Sequence, residues 1–170
     1  YEKIQIDNQF IKISAILTLN RSRAVDYAQV KELLQQNVDP LILNDICNDA
    51  WLVSDQYRAT IAGDYLDYVI ALDCLKDPSL AKRPRYRLEK AAGIYKGAVK
   101  QYVVRAIMGN KIFQSKTTRE LNDHMSSAEL YIDSLTNRKY RNQIKTLYSD
   151  KLTPFNPTTV GKPTPDFKLQ

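Results

Sequence analysis

Apolar side chains recur every three or four residues along most of this chain, which is the spacing of one face of an α-helix. The longest stripe consists of Ile42, Ile46, Ala50, Val53, Tyr57, Ile61, Tyr65, Tyr68, Leu72 and Leu75. It keeps its phase through Gly63. The pattern predicts one long helix over residues 40–76, which begins after the N-cap Asp39 and ends before Pro78.

The spacing of Phe10, Ile13, Ile16 and Leu17 predicts another helix within residues 1–19, and shorter stripes predict three further helices, over residues 23–36, 85–113 and 118–149. Thr117 and Glu120 have the spacing of a capping box, so we expect the last of these helices to begin there. Residues 1–7 alternate apolar and polar positions, which favours a short extended lead.

The helices together predict an all-α fold, an antiparallel bundle of long helices with shorter N-terminal helices over residues 1–150. Residues 151–170 are rich in proline and predict an extended tail that contacts neighbouring subunits. The candidate tail contacts are Pro154, Phe155, Pro157, Pro163, Pro165 and Phe167.

A competing interpretation breaks the segment near residues 60–63 and folds it back into a hairpin, centred between residues 60 and 61. Such a hairpin would bring Cys47 level with Cys74, whereas a continuous helix would hold them about 40 Å apart. A disulfide needs Cα atoms within about 7 Å. The continuous stripe favours the single helix, so we expect both cysteines to be reduced and unpaired with each other.

Charge changes sign along the chain, which has 170 residues and a net charge of +6. Residues 39–77 carry eight Asp and two basic side chains, and residues 82–119 carry eleven basic side chains and Glu89. The two segments could lie side by side and partly neutralise each other, or the second could present a basic binding surface. The candidates for that surface are Lys82, Arg83, Arg85, Arg87, Lys90, Lys96, Lys100 and Arg105.

Gly93 and Gly97 lie four residues apart within the predicted helix 85–113. Small residues at this spacing let another helix approach closely. We therefore expect them at a close-packed contact inside the bundle or at an oligomer contact.

Residues with catalytic or metal-binding chemistry are sparse. His124 is the single histidine, and its spacing from Glu120 is not that of a di-iron helix pair. The carboxylates of residues 39–77 mostly avoid the apolar stripe, which is typical of a solvated or partner-facing surface. The sequence therefore predicts no catalytic residue, no metal and no cofactor.

These features predict a non-enzymatic structural or assembly protein, a helical-bundle subunit of a larger complex that contacts neighbours through its tail. The alternative is a nucleic-acid-binding bundle that uses residues 82–119. The expected partners are protein subunits, as a homo-oligomer or a hetero-complex, with nucleic acid as a second possibility and no transmembrane segment.

The expected location of the protein in a cell or virion is inferred only from its predicted shape. Helical bundles with an extended tail occur among phage head–tail adaptors and envelope lipoproteins, which favours a virion or an extracytoplasmic envelope. No signal-peptide pattern begins the chain at Tyr1, so we expect any such peptide to have been removed.

Overall fold

The fold is all-helical in a computed structural model that describes the backbone of residues 2–155 and the side chains of residues 3–153. This confirms the all-α class, and the described range contains no strand. The α-helices are α1 (Glu2–Arg21), α2 (Tyr27–Asn37), α3 (Pro40–Asn44), α4 (Asp55–Ala62), α5 (Asp64–Lys76), α6 (Tyr86–Ile94), α7 (Gly97–Gln114), α8 (Thr118–Asp133) and α9 (Arg138–Phe155). Asp49–Val53 and Pro78–Lys82 form 3-10 helices.

Helix α4 lies at the centre of the core, with α1 on one side and α7 on the other. Tyr57 of α4 is fully buried, and its ring packs edge-on against Phe10 with 4.8 Å between centroids. Its hydroxyl donates to the carbonyl of Ile46 at 2.8 Å. Tyr95 is buried in the same way and donates to the carbonyl of Ile61 at 2.6 Å. Both phenols therefore enter the core with their polar group satisfied.

The predicted continuous helix over residues 40–76 is wrong, because the segment is divided into α3, a 3-10 helix, α4 and α5. Asp39 caps α3 as expected, and Pro40 occupies its first turn. The side chain of Asn48 then accepts from the backbone N–H of Ala50, and Ser54 caps α4. These local hydrogen bonds offer the backbone alternatives to a continuous helix, although the apolar stripe runs across the breaks.

The backbone stays helical through Ala62, so the hairpin centred between residues 60 and 61 does not form either. Gly63, with φ −111° and ψ −99°, instead separates α4 from α5. Cys47 and Cys74 are free thiols, and Cys47 Sγ donates to the carbonyl of Ile94 at 3.2 Å.

The predicted helix over residues 85–113 is also interrupted, at Tyr95 and Lys96. Lys96 supplies no side-chain cap to α7. The carboxylate of Asp49 caps it instead, accepting from the backbone N–H groups of Ala98 at 3.1 Å and Val99 at 3.0 Å. A carboxylate at this position also faces the positive end of the helix dipole. The N-terminus of α7 is therefore capped by Asp49, which lies 49 positions before Ala98 in the sequence.

Gly97 makes this contact possible. Its φ is +55°, in the left-handed region that glycine tolerates, and a Cβ there would lie 2.7 Å from Asp49 Oδ2. Within this chain the neighbour that Gly97 approaches is a capping carboxylate rather than a helix face, and the expected close-packed or oligomer contact stays a prediction.

The last predicted helix is divided into α8 and α9 at residues 134–137. Thr117 caps α8 as expected, by accepting from the Glu120 N–H at 3.2 Å. Asn137 begins α9 by accepting from the N–H of Lys139 at 3.0 Å. Helix α9 continues past residue 150 because Tyr148 and Leu152 still pack against the core.

Helices α7 and α9 run in the same direction, since successive contacts between them advance together along both. The contacts join Tyr102 to Tyr140, Arg105 to Gln143, Gly109 to Leu147 and Phe113 to Lys151. Helix α8 connects them and packs against both.

The expected extended lead at residues 1–7 is wrong from Glu2 onward, because α1 begins at Glu2. Ile6 is buried against the core and Ile4 is 64% exposed. The alternation that resembled a strand arises because α1 carries apolar residues on two opposite faces.

Candidate interaction surfaces

The eight basic residues predicted to form one surface are distributed over the 3-10 helix at 78–82, the turn that follows it, α6 and α7. Three of them are in ion pairs. Arg83 pairs with Glu89 at 2.7 Å, Arg87 pairs with Asp67, and Lys90 pairs with Asp73 at 2.6 Å. The acidic side chains of α5 therefore neutralise two basic side chains of α6.

Lys82, Arg85, Lys96 and Lys100 form no ion pair within the described part of the chain. The first three are exposed and Lys100 is half-buried. Arg105 is half-buried, and its Nε donates to Gln143 Oε1 at 3.0 Å. The predicted surface is thus divided into a neutralised part on α6 and an unneutralised part that continues along α7.

Asp73 is the centre of a polar cluster between α5 and α6. It accepts from Lys90 Nζ at 2.6 Å and from the Tyr86 hydroxyl at 2.5 Å. The Lys90 hydrogen bond, helped by that of Tyr86, holds the pKa of the Asp73 carboxyl below its usual range. The same contact with Asp73 raises the pKa of Tyr86 to about 12.

We expect the Lys90→Met variant to raise the pKa of Asp73 toward its usual value. Because the folded pKa is depressed, the stabilisation by Asp73 is present at neutral pH and is lost as the pH falls through the lowered pKa. NMR titration of the Asp73 carboxyl checks this, with Tyr86→Phe as the variant expected to give a smaller rise. Identical titration in the wild type and Lys90→Met would refute the assignment.

Gly93 lies on an exposed part of α6, and a Cβ added there would meet nothing within 4 Å. The expected close-packed or oligomer contact of Gly93 stays a prediction.

His124 is partly buried on α8. Burial and the charge of Lys111 lower its pKa. Among the described residues, no three His, Cys, Asp or Glu side chains gather into a group that could hold a metal ion.

The tail contacts are largely untested by the structure. The backbone of Pro154 and Phe155 belongs to the end of α9, so the expected extended conformation is wrong at these two positions. Pro157, Pro163, Pro165 and Phe167 lie outside the described residues.

The outer face of α1 is a surface that the sequence interpretation missed. It carries Ile4, Asn8, Ile11, Ala15 and Leu19, at spacings of three and four residues. All five side chains are exposed. Ile4, Ile11 and Leu19 are 64%, 52% and 43% exposed, and no residue of this set is charged. The opposite face of α1 is buried against the core through Phe10, Ile13 and Leu17.

A groove of about 770 Å³ adjoins this outer face through Ile11. Leu41, at 74% exposure, and the half-buried Ile42 and Trp51 line its far side. The exposed apolar surface therefore extends from α1 to α3. Two apolar stripes on one helix were the signal in the sequence, and they were obscured by interpreting residues 1–7 as extended.

No helix of residues 2–155 is both long enough and apolar enough to cross a membrane. Comparisons of the chain with protein-family models, with curated proteins and with solved structures found no match.

Proposed function

We propose that this chain is a non-enzymatic assembly subunit, a helical bundle whose copies associate through the outer face of α1. The observation that carries the proposal is the exposed apolar stripe of Ile4, Ile11 and Leu19, opposite a face that already packs on the core. Contiguous exposed apolar surface often marks a site of protein–protein interaction. We therefore expect a second surface to cover the outer face of α1.

The pattern of the stripe favours a second copy of the chain as that surface. Ile4 and Leu19, and likewise Asn8 and Ala15, are arranged symmetrically about a point between residues 11 and 12, beside Ile11. Two α1 helices paired antiparallel about a two-fold axis would place Ile4 opposite Leu19 and Asn8 opposite Ala15. The two Ile11 side chains would then meet beside the axis, as an isologous interface requires.

The neighbouring groove adds to the same interface. Leu41 and Trp51 adjoin the stripe through Ile11, so the surface is wider than one helix. Stable interfaces bury about 1,200–2,000 Å² and have apolar, aromatic-rich centres. In larger assemblies the C-terminal segment, which includes Pro157, Pro163, Pro165 and Phe167, would supply further contacts to neighbouring subunits.

The nucleic-acid alternative has less support. It relied on an unneutralised basic surface over residues 82–119, but Arg83, Arg87 and Lys90 are already paired with carboxylates. A phosphate backbone would have to displace those partners before it could bind them.

We expect the wild type to sediment as a dimer and the Ile11→Glu variant to sediment as a monomer. Two Glu side chains brought together at a two-fold axis would repel each other and lose their hydration. The matched control is Leu130→Glu, because Leu130 is 79% exposed on α8 and lies outside the proposed interface. Helix content should be unchanged in both variants by circular dichroism. A monomeric wild type, or equal effects of the two substitutions, would contradict the proposal.

A further inference from the structure

We propose that a groove over α7 binds an acidic amphipathic segment of a partner protein. The groove has a volume of about 630 Å³ and lies between α4 and α9. We call it the arginine groove. The residues that define it are Arg58, Arg87 and Arg105, the acidic Asp67, the small residues Ala59, Ala62, Gly63, Ala106 and Gly109, and Tyr102, Asn110, Phe113 and Leu147.

Five of the residues that line the groove on α4, on α7 and at the turn between α4 and α5 are small. None of these five carries a side chain longer than a methyl group. A partner backbone or side chain can therefore lie close to α7 without displacing protein atoms. Because the contacts of a bound segment need this close approach, the groove suits a peptide better than a bulky polyelectrolyte.

The three guanidinium groups differ in what already holds them. Arg87 donates to the carbonyl of Ala62 at 2.9 Å and pairs with Asp67. Arg58 donates to the carbonyl of Leu52 and pairs with Asp55. Arg58 and Arg87 are therefore each paired with a carboxylate of the same chain.

Arg105 has no such carboxylate within the described residues. Its Nε donates to Gln143 Oε1, and its two terminal nitrogens make no hydrogen bond there. A half-buried guanidinium that is oriented by one neutral partner presents its terminal donors to a carboxylate. This is the position where an acidic side chain of the partner would bind.

Basic side chains greatly outnumber acidic ones on the two helices beside Arg105. Helices α7 and α9 together carry eight basic side chains and one acidic side chain, Asp150. The basic ones are Lys100, Arg105, Lys111, Arg138, Lys139, Arg141, Lys145 and Lys151. This net charge of +7 attracts an acidic partner and orients it during encounter. The basic character of the surface thus depends on α9, beyond the segment 82–119 that the sequence indicated.

The other end of the arginine groove is apolar. Phe113 is 81% exposed and Leu147 is 39% exposed. Exposed aromatic side chains beside arginine are typical of the centres of protein interfaces. Arg105 and Phe113 are eight residues apart on α7, about 12 Å along the axis. A helical partner would therefore carry its acidic and apolar anchors about two turns apart.

Other occupants fit the groove less well. A nucleic acid would find one exposed aromatic ring at the groove, Phe113, rather than a series of stacking platforms. Residues 156–170 of this chain carry two lysines and one aspartate, so their charge does not complement the groove. The proposal shares no residue with the α1 interface, and either can fail without the other.

Fluorescence anisotropy tests the proposal with a labelled helical peptide that carries two glutamates two turns from a Leu-Phe pair. The controls are a scrambled peptide of the same composition and a labelled single-stranded oligothymidine. We expect the wild type to bind the amphipathic peptide in preference to both. Arg105→Glu should weaken binding at least about tenfold, the range expected for disrupting a charge pair at an interface.

Lys145→Glu is the matched variant, because Lys145 is exposed on α9 and does not line the groove. It makes the same charge change as Arg105→Glu and should alter affinity by less than about threefold, the size of a rim-charge effect. Phe113→Ser provides a second variant at an exposed position that keeps the fold, and should also weaken binding. Equal losses for Arg105→Glu and Lys145→Glu, preference for the oligonucleotide, or no peptide binding would overturn the proposal.

Discussion

The Tyr57→Asp variant should fail to fold at room temperature. Tyr57 is fully buried, and its ring packs against Phe10 of α1 and against Trp51. Truncating a buried aromatic side chain costs about 3–5 kcal/mol, and leaving an unpaired carboxylate in its place costs more. The whole free energy of unfolding of a domain is about 5–15 kcal/mol. Circular dichroism and urea denaturation measure the loss.

Two further variants separate the contribution of the Tyr57 hydrogen bond from the contribution of burial along the stripe. Tyr57→Phe removes only the hydrogen bond to the Ile46 carbonyl, so we expect a loss of about 1 kcal/mol. Leu72→Asp, on the same predicted stripe, should cost less than Tyr57→Asp because Leu72 is only half-buried. A Tyr57→Asp variant that melts within a few degrees of the wild type would contradict the central position of α4.

Substituting alanine at Gly93 and at Gly97 should change stability in opposite directions. Gly93 lies within α6 and has open space around it, so alanine should stabilise by up to about 1 kcal/mol through helix propensity. Gly97 has φ +55°, a conformation that costs an alanine roughly 1–2 kcal/mol, and its Cβ would meet the Asp49 carboxylate. For a chain of this size, 1 kcal/mol shifts the melting temperature by about 2–4 °C.

A double-mutant cycle tests whether Asp49 caps α7. Asp49→Ala alone should cost about 0.5–2 kcal/mol, as the loss of an N-cap does. Combined with Gly97→Ala it should cost less than the sum of the two single changes, because the clash and the cap involve the same carboxylate. Strict additivity in urea denaturation would show that Gly97 and Asp49 do not interact as the geometry indicates.

Local signals predicted several helix starts correctly. Asp39 with Pro40 marked the start of α3, and Thr117 marked the start of α8, because a cap depends on residues within a few positions of each other. The all-helical class followed from the spacing of apolar residues, which reports helical conformation regardless of how the helices are arranged.

The breaks within the predicted long helices could not be found in this way. An apolar stripe keeps its spacing across a short turn, so it did not reveal the interruptions at Asn48, Gly63 or Tyr95. The start of α7 depends on Asp49, a residue distant in sequence, and no local pattern contains that information. The lack of neutralisation at Arg105 likewise depends on which carboxylates the fold brings near it.

The outer face of α1 was visible in the sequence but was misinterpreted. Ile4 and Ile6 alternate as in a strand, yet in a helix these two positions project to different sides. One is buried in the core and the other is exposed. The stripe of Ile4, Ile11 and Leu19 is therefore recognisable only when residues 2–7 are assigned to α1, which begins at Glu2.

Disulfide trapping at position 11 tests the proposed association through α1 most directly. In a background with Cys47→Ser and Cys74→Ser, the Ile11→Cys variant should form a covalent dimer under mild oxidation, because antiparallel pairing brings the two position-11 side chains together beside the two-fold axis. The Leu130→Cys variant in the same background should stay monomeric on a non-reducing gel. A covalent dimer of Leu130→Cys with none of Ile11→Cys, or equal slow cross-linking of both, would contradict the assembly proposed here.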